Sequence, residues 1–438
     1  MNRARASVVA GAFAAAGMLL PVSSAQTARA RSHGRNYEEA KVGSYTLPDP
    51  LTDKDGRRVT DADSWSAVRR QEILGDFRDL MYGHSPPLSV KLRSETVATR
   101  EDAVDGLAKR TIVTLKFFDD PEAPSISLML YAPKAATKPV PVFLGLSFYG
   151  NASVEPDPSI PLTRGWMRPH RTAGAVENNR ASEGLRGISA SRWPLAAILQ
   201  RGYGVATFYY GDVEPDHIEG WRDGIRGYAL KLAGRTARAP DEWGALGAWG
   251  WGLSRSLDYL ETNPDVDALR TAVFGHSRMG KAALWAGAQD ERFALVISND
   301  SGEGGASLAR RNFGENIAYS IAHASYRYCD RFRDFIDRPN DLPFDQHMLL
   351  ALIAPRPIYV SSATDDLLAD PKGEFLSAAH AEPVYRLFGL RGVDSSEQPA
   401  PDQSVGRTIG YHLRTGGHDI TEYDWEQFLG FADRHLKD

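Results

Sequence analysis

Cysteine occurs once in 438 residues, at Cys329, so no disulfide can form within the chain and no thiolate cluster can hold a metal. Long apolar runs are equally scarce. The longest, VVAGAFAAAGMLLPV near the N-terminus, falls short of the ~20 residues a membrane-spanning helix needs. Basic charge is not in excess. The 51 Lys and Arg stand against 56 Asp and Glu, a net charge of −5, and nucleic-acid binders usually show a basic stripe instead. Neither an H-E-x-x-H helix nor a calcium loop occurs, so nothing suggests a metal. No segment repeats with a period of 20–50 residues, which excludes solenoids and propellers. The 42% apolar and 24% charged residues that remain are ordinary for a globular protein with a large core.

The N-terminus reads as an address. Arg3 and Arg5 precede the apolar run, and Ser23-Ser24-Ala25 offers small residues at the −3 and −1 positions of a cleavage site. Residues 1–25 are therefore expected to be a secretory signal and 26–36 a disordered leader. Residues 37–438 are expected to form a single domain with long insertions, exported to the periplasm or outside the cell, with no membrane span once the signal is removed.

Short β-branched runs punctuate that domain. VPVFLGLSF (140–148), GVATFYY (204–210), TAVFG (271–275), ALVIS (294–298) and RPIYVSS (356–362) are nearly continuous in apolar residues, as strands buried on both faces of a parallel sheet are. Two earlier runs, TIVTLKFF (111–118) and SISLMLYA (125–132), carry more polar residues and predict an antiparallel hairpin at one edge. Between the runs lie helical patterns. In 241–261 Trp243, Leu246, Trp249, Leu253, Leu257 and Leu260 share one helical face, and Asp241 is placed to cap it. Trp243, Trp249 and Trp251 are read as core residues. Strands alternating with helices predict an α/β fold with helices on both faces of a mostly parallel sheet. The Pro-, Gly-, Arg- and Asn-rich stretch 150–190 reads as a surface loop near the site.

Chemistry concentrates in TAVFGHSRMGKAALWAGAQD (271–290). A short buried strand runs through Gly275-His276-Ser277-Arg278-Met279-Gly280 into an alanine-rich helix, a turn that presents a serine at the top of a sheet. The general pattern is G-x-S-x-G; here Met279 takes the second glycine's place and Gly280 follows it. The N–H of Arg278 would open the helix and face a developing oxyanion. A serine needs a base, and in sheet hydrolases the acid and then the histidine follow it in the chain. His418, in Gly416-Gly417-His418-Asp419 just before a closing helix 421–436, is the leading base. Asp300 and Asp366 each follow a predicted strand and compete for the third role.

At this point GHSRMGKAALWAGAQDERFALVISNDSG closely resembles the glucuronoyl esterases, carbohydrate esterase family 15, whose signature sets the serine within G-[CH]-S-R-x-G-K. Further similar segments are FLGLSFYGN (143–151), SRWPL (191–195), RGYGVATFYYGDVEPDH (201–217), FGENI (313–317), LPFDQH (342–347), ADPKGEF (369–375) and GGHD (416–419). The resemblance implies an α/β-hydrolase fold and a serine esterase, without cofactor, acting on esters of (4-O-methyl-)glucuronic acid such as those joining xylan to lignin. It implies Ser277 as nucleophile, His418 as base, Arg278 at the oxyanion, and Lys281 and Glu315 toward the sugar. Asp366 is taken as the main orienting acid and Asp300 as a second carboxylate, because Asp300 is one methylene shorter than the glutamate that many relatives carry there. Two departures stand out. Leu368 replaces the tryptophan of a D-L-W-A-D-P pattern, and Ala152 replaces a histidine common after YGN. An esterase of other carbohydrate acyl groups, of the acetyl xylan type, and a non-catalytic carbohydrate-binding protein on a hydrolase scaffold are the alternative readings.

Overall fold

A ten-stranded mixed sheet runs through the protein in a computed structural model that describes residues 35–437. The signal and most of the leader expected at the N-terminus lie outside the described residues. The sheet begins with β1 (Arg93–Ala103), β2 (Ala108–Lys116) and β3 (Ser125–Pro133), antiparallel neighbours. The expected hairpin is β2–β3, and the charged, mostly exposed β1 lies outside it at the edge. The five apolar runs become β4 (Val140–Ser147), β5 (Gly204–Tyr209), β6 (Val266–His276), β7 (Leu295–Asn299) and β8 (Ile358–Ala363), mutually parallel. The far edge holds β9 (Gln403–Gly406), antiparallel to β10 (Ile409–Arg414), which itself runs parallel to β8. The spatial order is β1-β2-β3-β5-β4-β6-β7-β8-β10-β9.

Alternation along the inner strands explains the two layers. Val142, Leu144 and Leu146 of β4 face one core while Phe143 faces the other; Val273 and Phe274 of β6 divide in the same way. On the smaller face lie α1 (Leu195–Gln200), with Ile198 and Leu199, and a C-terminal helix built around Trp425 and Phe428. The larger face is covered by α2 (Ala245–Leu260), α3 (Arg278–Gln289) and α4 (Pro371–Leu387). The C-terminal helix, α5 (Glu422–Leu436), starts with a capping box in which Thr421 and Asp424 satisfy each other's backbone N–H groups. Among the described residues no helix is long and apolar enough to cross a membrane.

Three local expectations need correction. Asp241 does not cap α2, which begins at Ala245 after Gly244. Residues 241–243 are instead tied to His84: its N–H donates to Asp241 O at 2.8 Å and its carbonyl accepts from Trp243 N at 3.2 Å. Trp243 and Trp249 are buried, but Trp251 is only half-buried, edge-on to Phe117 at 5.1 Å. The 150–190 stretch is more than a surface loop, since Ile160, Met167, Ala175 and Leu185 are fully buried.

Candidate active site

The parallel strands deliver their carboxyl ends to one edge, where sites form in open α/β sheets. Ser277 follows β6 with φ 56° and ψ −132°, a strained backbone for a serine, and stands at the N-cap position of α3 without its side chain bonding the helix. Its N–H donates to Asn299 O at 2.8 Å, tying the turn to the end of β7. A side chain at Gly275 would place its Cβ 2.1 Å from Met279 O; one at Gly280 would stand 3.0 Å from Gly275 O and from Ser301 Cβ. The glycine displaced to position 280 thus lets helix, strand and the Ser301 loop meet closely.

Arg278 opens α3, where the first N–H groups have no partner within the helix. Its guanidinium lies 4.7 Å over the Phe148 ring, and its Nε is 3.1 Å from Asp216 Oδ2. Asp216 went unassigned at the sequence level. Beside that ion pair, its fully buried carboxylate accepts hydrogen bonds from Arg327 (Nη2 at 2.9 Å), Arg168 (Nη1 at 2.9 Å) and Tyr326 (Oη at 2.7 Å). Burial would raise its pKa, but Arg327, Arg278 and Arg168 outweigh that and hold it well below the usual carboxylate range. Three guanidiniums on one carboxylate leave the turn beside Ser277 with an excess of positive charge. The only sequence signal was Asp216's place in the DVEPDH segment after β5.

His418 sits on the loop between β10 and α5, its side chain 43% exposed. Its Nδ1 donates to Asp366 Oδ2 at 2.6 Å. Asp366 is buried, three residues past β8. Asp300, directly after β7, is also buried and adopts φ 45°. One oxygen from each of these aspartates and a ring nitrogen of His418 lie within 4.8 Å of one another. The 2.6 Å contact brings imidazole and carboxylate closer than two ligands each about 2 Å from a tetrahedral ion would stand. Asp300 Oδ2 reaches Arg414 Nη2 at 3.5 Å, and its Oδ1 has no hydrogen-bond partner among the described residues. Burial first, then the nearby Glu374, Asp366 and Asp424, push its pKa well above the ordinary value.

A second histidine was missed. His276, just before the serine, is buried, and its ring centroid lies 4.4 Å from that of His418. Its Nδ1 donates to Asn299 Oδ1 at 2.5 Å. Burial, followed by the proximity of His418, keeps its pKa well below the usual imidazole value, so it is a neutral wall for the exposed ring.

Lys281, one turn after Ser277, is buried and donates to Glu303 O at 2.6 Å and to Glu315 Oε2 at 3.1 Å. Burial opposes its charge, but Glu315 overcomes that and raises its pKa. Glu315 N in turn donates to Leu368 O at 2.7 Å, so the two sugar candidates and the position lacking its tryptophan form one cluster. All seven residues singled out from the sequence lie in three neighbouring groups: Ser277 with Arg278, His418 with Asp366 and Asp300, and Lys281 with Glu315.

A strained serine turn between a central parallel strand and its helix, with a histidine–carboxylate pair supplied by later strands, defines an α/β-hydrolase. The model of the fungal glucuronyl esterases matches residues 196–389. Carbohydrate esterase MZ0003, from an unidentified prokaryote, is 46% identical over 407 residues, 93% of each chain. The solved glucuronoyl esterase of Solibacter usitatus is 48% identical with a TM-score of 0.85, covering 90% of this chain and 99% of that one. A promiscuous CE15 esterase from a marine bacterial metagenome is 45% identical at a TM-score of 0.86, covering 92% and 100%. The chain belongs to carbohydrate esterase family 15, the glucuronoyl esterases, and is a carboxylic ester hydrolase acting on a carbohydrate ester.

Proposed function

We propose that Ser277 attacks the C6 carbonyl of an esterified glucuronate while His418 accepts its proton. Asp366 holds the imidazole with Nδ1 protonated, which leaves Nε2 free as the base, and stabilises the imidazolium that forms. Arg278, through its backbone N–H and its guanidinium, receives the oxyanion; such preorganised charge is usually the largest catalytic contribution. His418 then protonates the departing alcohol, and water releases the uronic acid from Ser277 by the same steps in reverse order. Lys281 and Glu315 bind the hydroxyls of the uronate ring, with Asp300 a second carboxylate behind the pair. The observation that carries this reading is the 2.6 Å bond from His418 Nδ1 to the buried Asp366.

The natural substrate in this reading is the ester between 4-O-methyl-glucuronoyl groups of xylan and lignin alcohols. The polar Lys281–Glu315 cluster favours a uronate over acetyl xylan, because an acetyl group has no hydroxyls for it to bind. Residues 37–438 act as one catalytic domain, and the signal in residues 1–25 sends it to the periplasm or beyond. Release of uronic acid from a benzyl glucuronate ester, beside acetate release from acetylated xylan, is the test. Wild type is expected to cleave the first and Ser277→Ala neither, with the fold intact by circular dichroism. Activity in folded Ser277→Ala would refute the nucleophile, and release of acetate alone would refute the substrate.

A further inference from the structure

The loop that carries His418 is wound around one buried side chain. Arg414 ends β10, and its guanidinium turns back into the loop that follows. Its Nη1 donates to Thr415 O at 3.1 Å, and its Nη2 donates to Gly417 O and to Asp419 O, both at 2.9 Å. His418 therefore sits between two residues whose carbonyls are held by the same nitrogen. The guanidinium is fixed from behind: its Nε lies 2.9 Å from Asp424 Oδ2, and its Nη2 is 3.5 Å from Asp300 Oδ2. Asp424 is itself held by His412 Nε2 at 2.9 Å and by the N–H and hydroxyl of Thr421 at 2.7 and 2.8 Å. Outside this cradle the loop is stitched to the segment leading to Asp366, since Gly416 N donates to Thr364 Oγ1 at 3.1 Å and Asp365 N to Gly416 O at 2.9 Å.

We propose that Arg414 is a positioning residue for the hydrolysis: its guanidinium is the template that fixes the His418 loop, and hence where the imidazole stands. The inference rests on the reading of His418 as the base. A planar fork with several fixed donors suits this task, and a lysine or an apolar chain of similar length cannot bind three diverging carbonyls in the same geometry. Gly416 is part of the device. It adopts φ 113°, and a Cβ there would stand 3.1 Å from Arg414 Nη1, so an alanine pushes on the guanidinium without altering any charge.

The experiment compares Arg414→Met, Arg414→Lys, Gly416→Ala and His418→Ala with wild type. It measures kcat and KM on the benzyl ester and the rate at which an organophosphonate fluoride labels Ser277, a reaction that uses the base but not the sugar contacts. Displacing a catalytic group by an ångström can cost about 100-fold, so Arg414→Met is expected to lose about that much kcat and Gly416→Ala about tenfold, with KM within about threefold. Arg414→Lys is expected to fall between wild type and Arg414→Met, and labelling to slow in step with kcat. Should Arg414→Met fail to fold, Gly416→Ala on the surface loop decides. Unchanged kcat in a folded variant, or a loss confined to KM with labelling unaffected, overturns the proposal. If His418→Ala keeps its turnover, the assignment of the base is what fails; if it is dead while the loop variants are fully active, only the present inference fails.

Discussion

Replacing each of the two aspartates near His418 by asparagine separates the carboxylate bonded to the imidazole from the one that stands behind it. Asp366 Oδ2 accepts the imidazole proton at 2.6 Å. An asparagine there offers either a weaker carbonyl or an NH₂ group, and the latter turns the imidazole to the wrong tautomer. In a serine triad that change costs about 10⁴ in kcat, or about 5.4 kcal/mol at 1.36 kcal/mol for each tenfold. Asp300 differs in kind. Burial and three neighbouring carboxylates push its pKa up, one of its oxygens has no hydrogen-bond partner among the described residues, and the other lies 3.5 Å from Arg414. Asp300 reaches Arg414 and not the imidazole that Asp366 holds at 2.6 Å, so Asp300→Asn is expected to lose less than about tenfold in kcat. The double variant should be little worse than Asp366→Asn, because residues acting as a unit are not additive. Steady-state kinetics on the benzyl ester, with each variant's fold checked by circular dichroism, decide the matter. A near-silent Asp366→Asn beside a crippled Asp300→Asn would refute the reasoning and exchange the two roles.

Three further outcomes follow from other contacts. Arg278→Ala should lower kcat by about 10²–10³ with little change in KM, as loss of an oxyanion donor does; a pure KM effect would make Arg278 a ground-state contact. Leu368→Trp should lower KM for the glucuronoyl ester about fivefold, near 1 kcal/mol, and an unchanged KM would place the side chain away from the sugar. Glu374 is buried, and burial pushes its pKa up to about 8 despite hydrogen bonds from Ser362, Ser301 and Gly302. Because the folded protein holds this proton more tightly than the unfolded chain, its contribution to stability is full below about pH 4 and drains away as pH rises to about 8. Glu374→Gln, which mimics the protonated form, should flatten the decline of Tm between pH 5 and 8, and an identical slope in both proteins would exclude the effect.

The parallel centre of the fold was readable because β4 to β8 are buried on both faces and their composition says so without help from the rest of the chain. β10 was not, because Gly410, His412 and Arg414 interrupt its apolar pattern; their burial makes sense only beside Tyr359, some fifty residues earlier, and beside Asp424 and the His418 loop, whose folded positions the strand's own residues do not reveal. The start of α2 was misread for a similar reason. Asp241 has the chemistry of a cap, but a backbone bridge to His84 uses the residues around it first. At the site, Ser277 and His418 advertised themselves through local glycines and chain order. Asp216 and Arg414 gave no such sign, since a buried aspartate and a strand-end arginine take their meaning from partners on other elements.

The sharing of Asp216 reaches beyond the turn it borders. One of its three arginines, Arg168, comes from the 150–190 arm and remains 43% exposed. Withdraw that arm, or exchange it for one lacking the arginine, and the carboxylate divides its charge between two cations instead of three. Its grip on Arg278 is then expected to tighten, which in the proposed mechanism leaves less of that guanidinium's field for the carbonyl under attack. On the proposed role of Arg278, loss of Arg168 is expected to lower kcat although Arg168 itself touches neither Ser277 nor His418's partner Asp366. Grafting a longer or shorter arm to suit a bulkier alcohol would alter the intrinsic rate along with the fit, unless an arginine is kept within reach of Asp216.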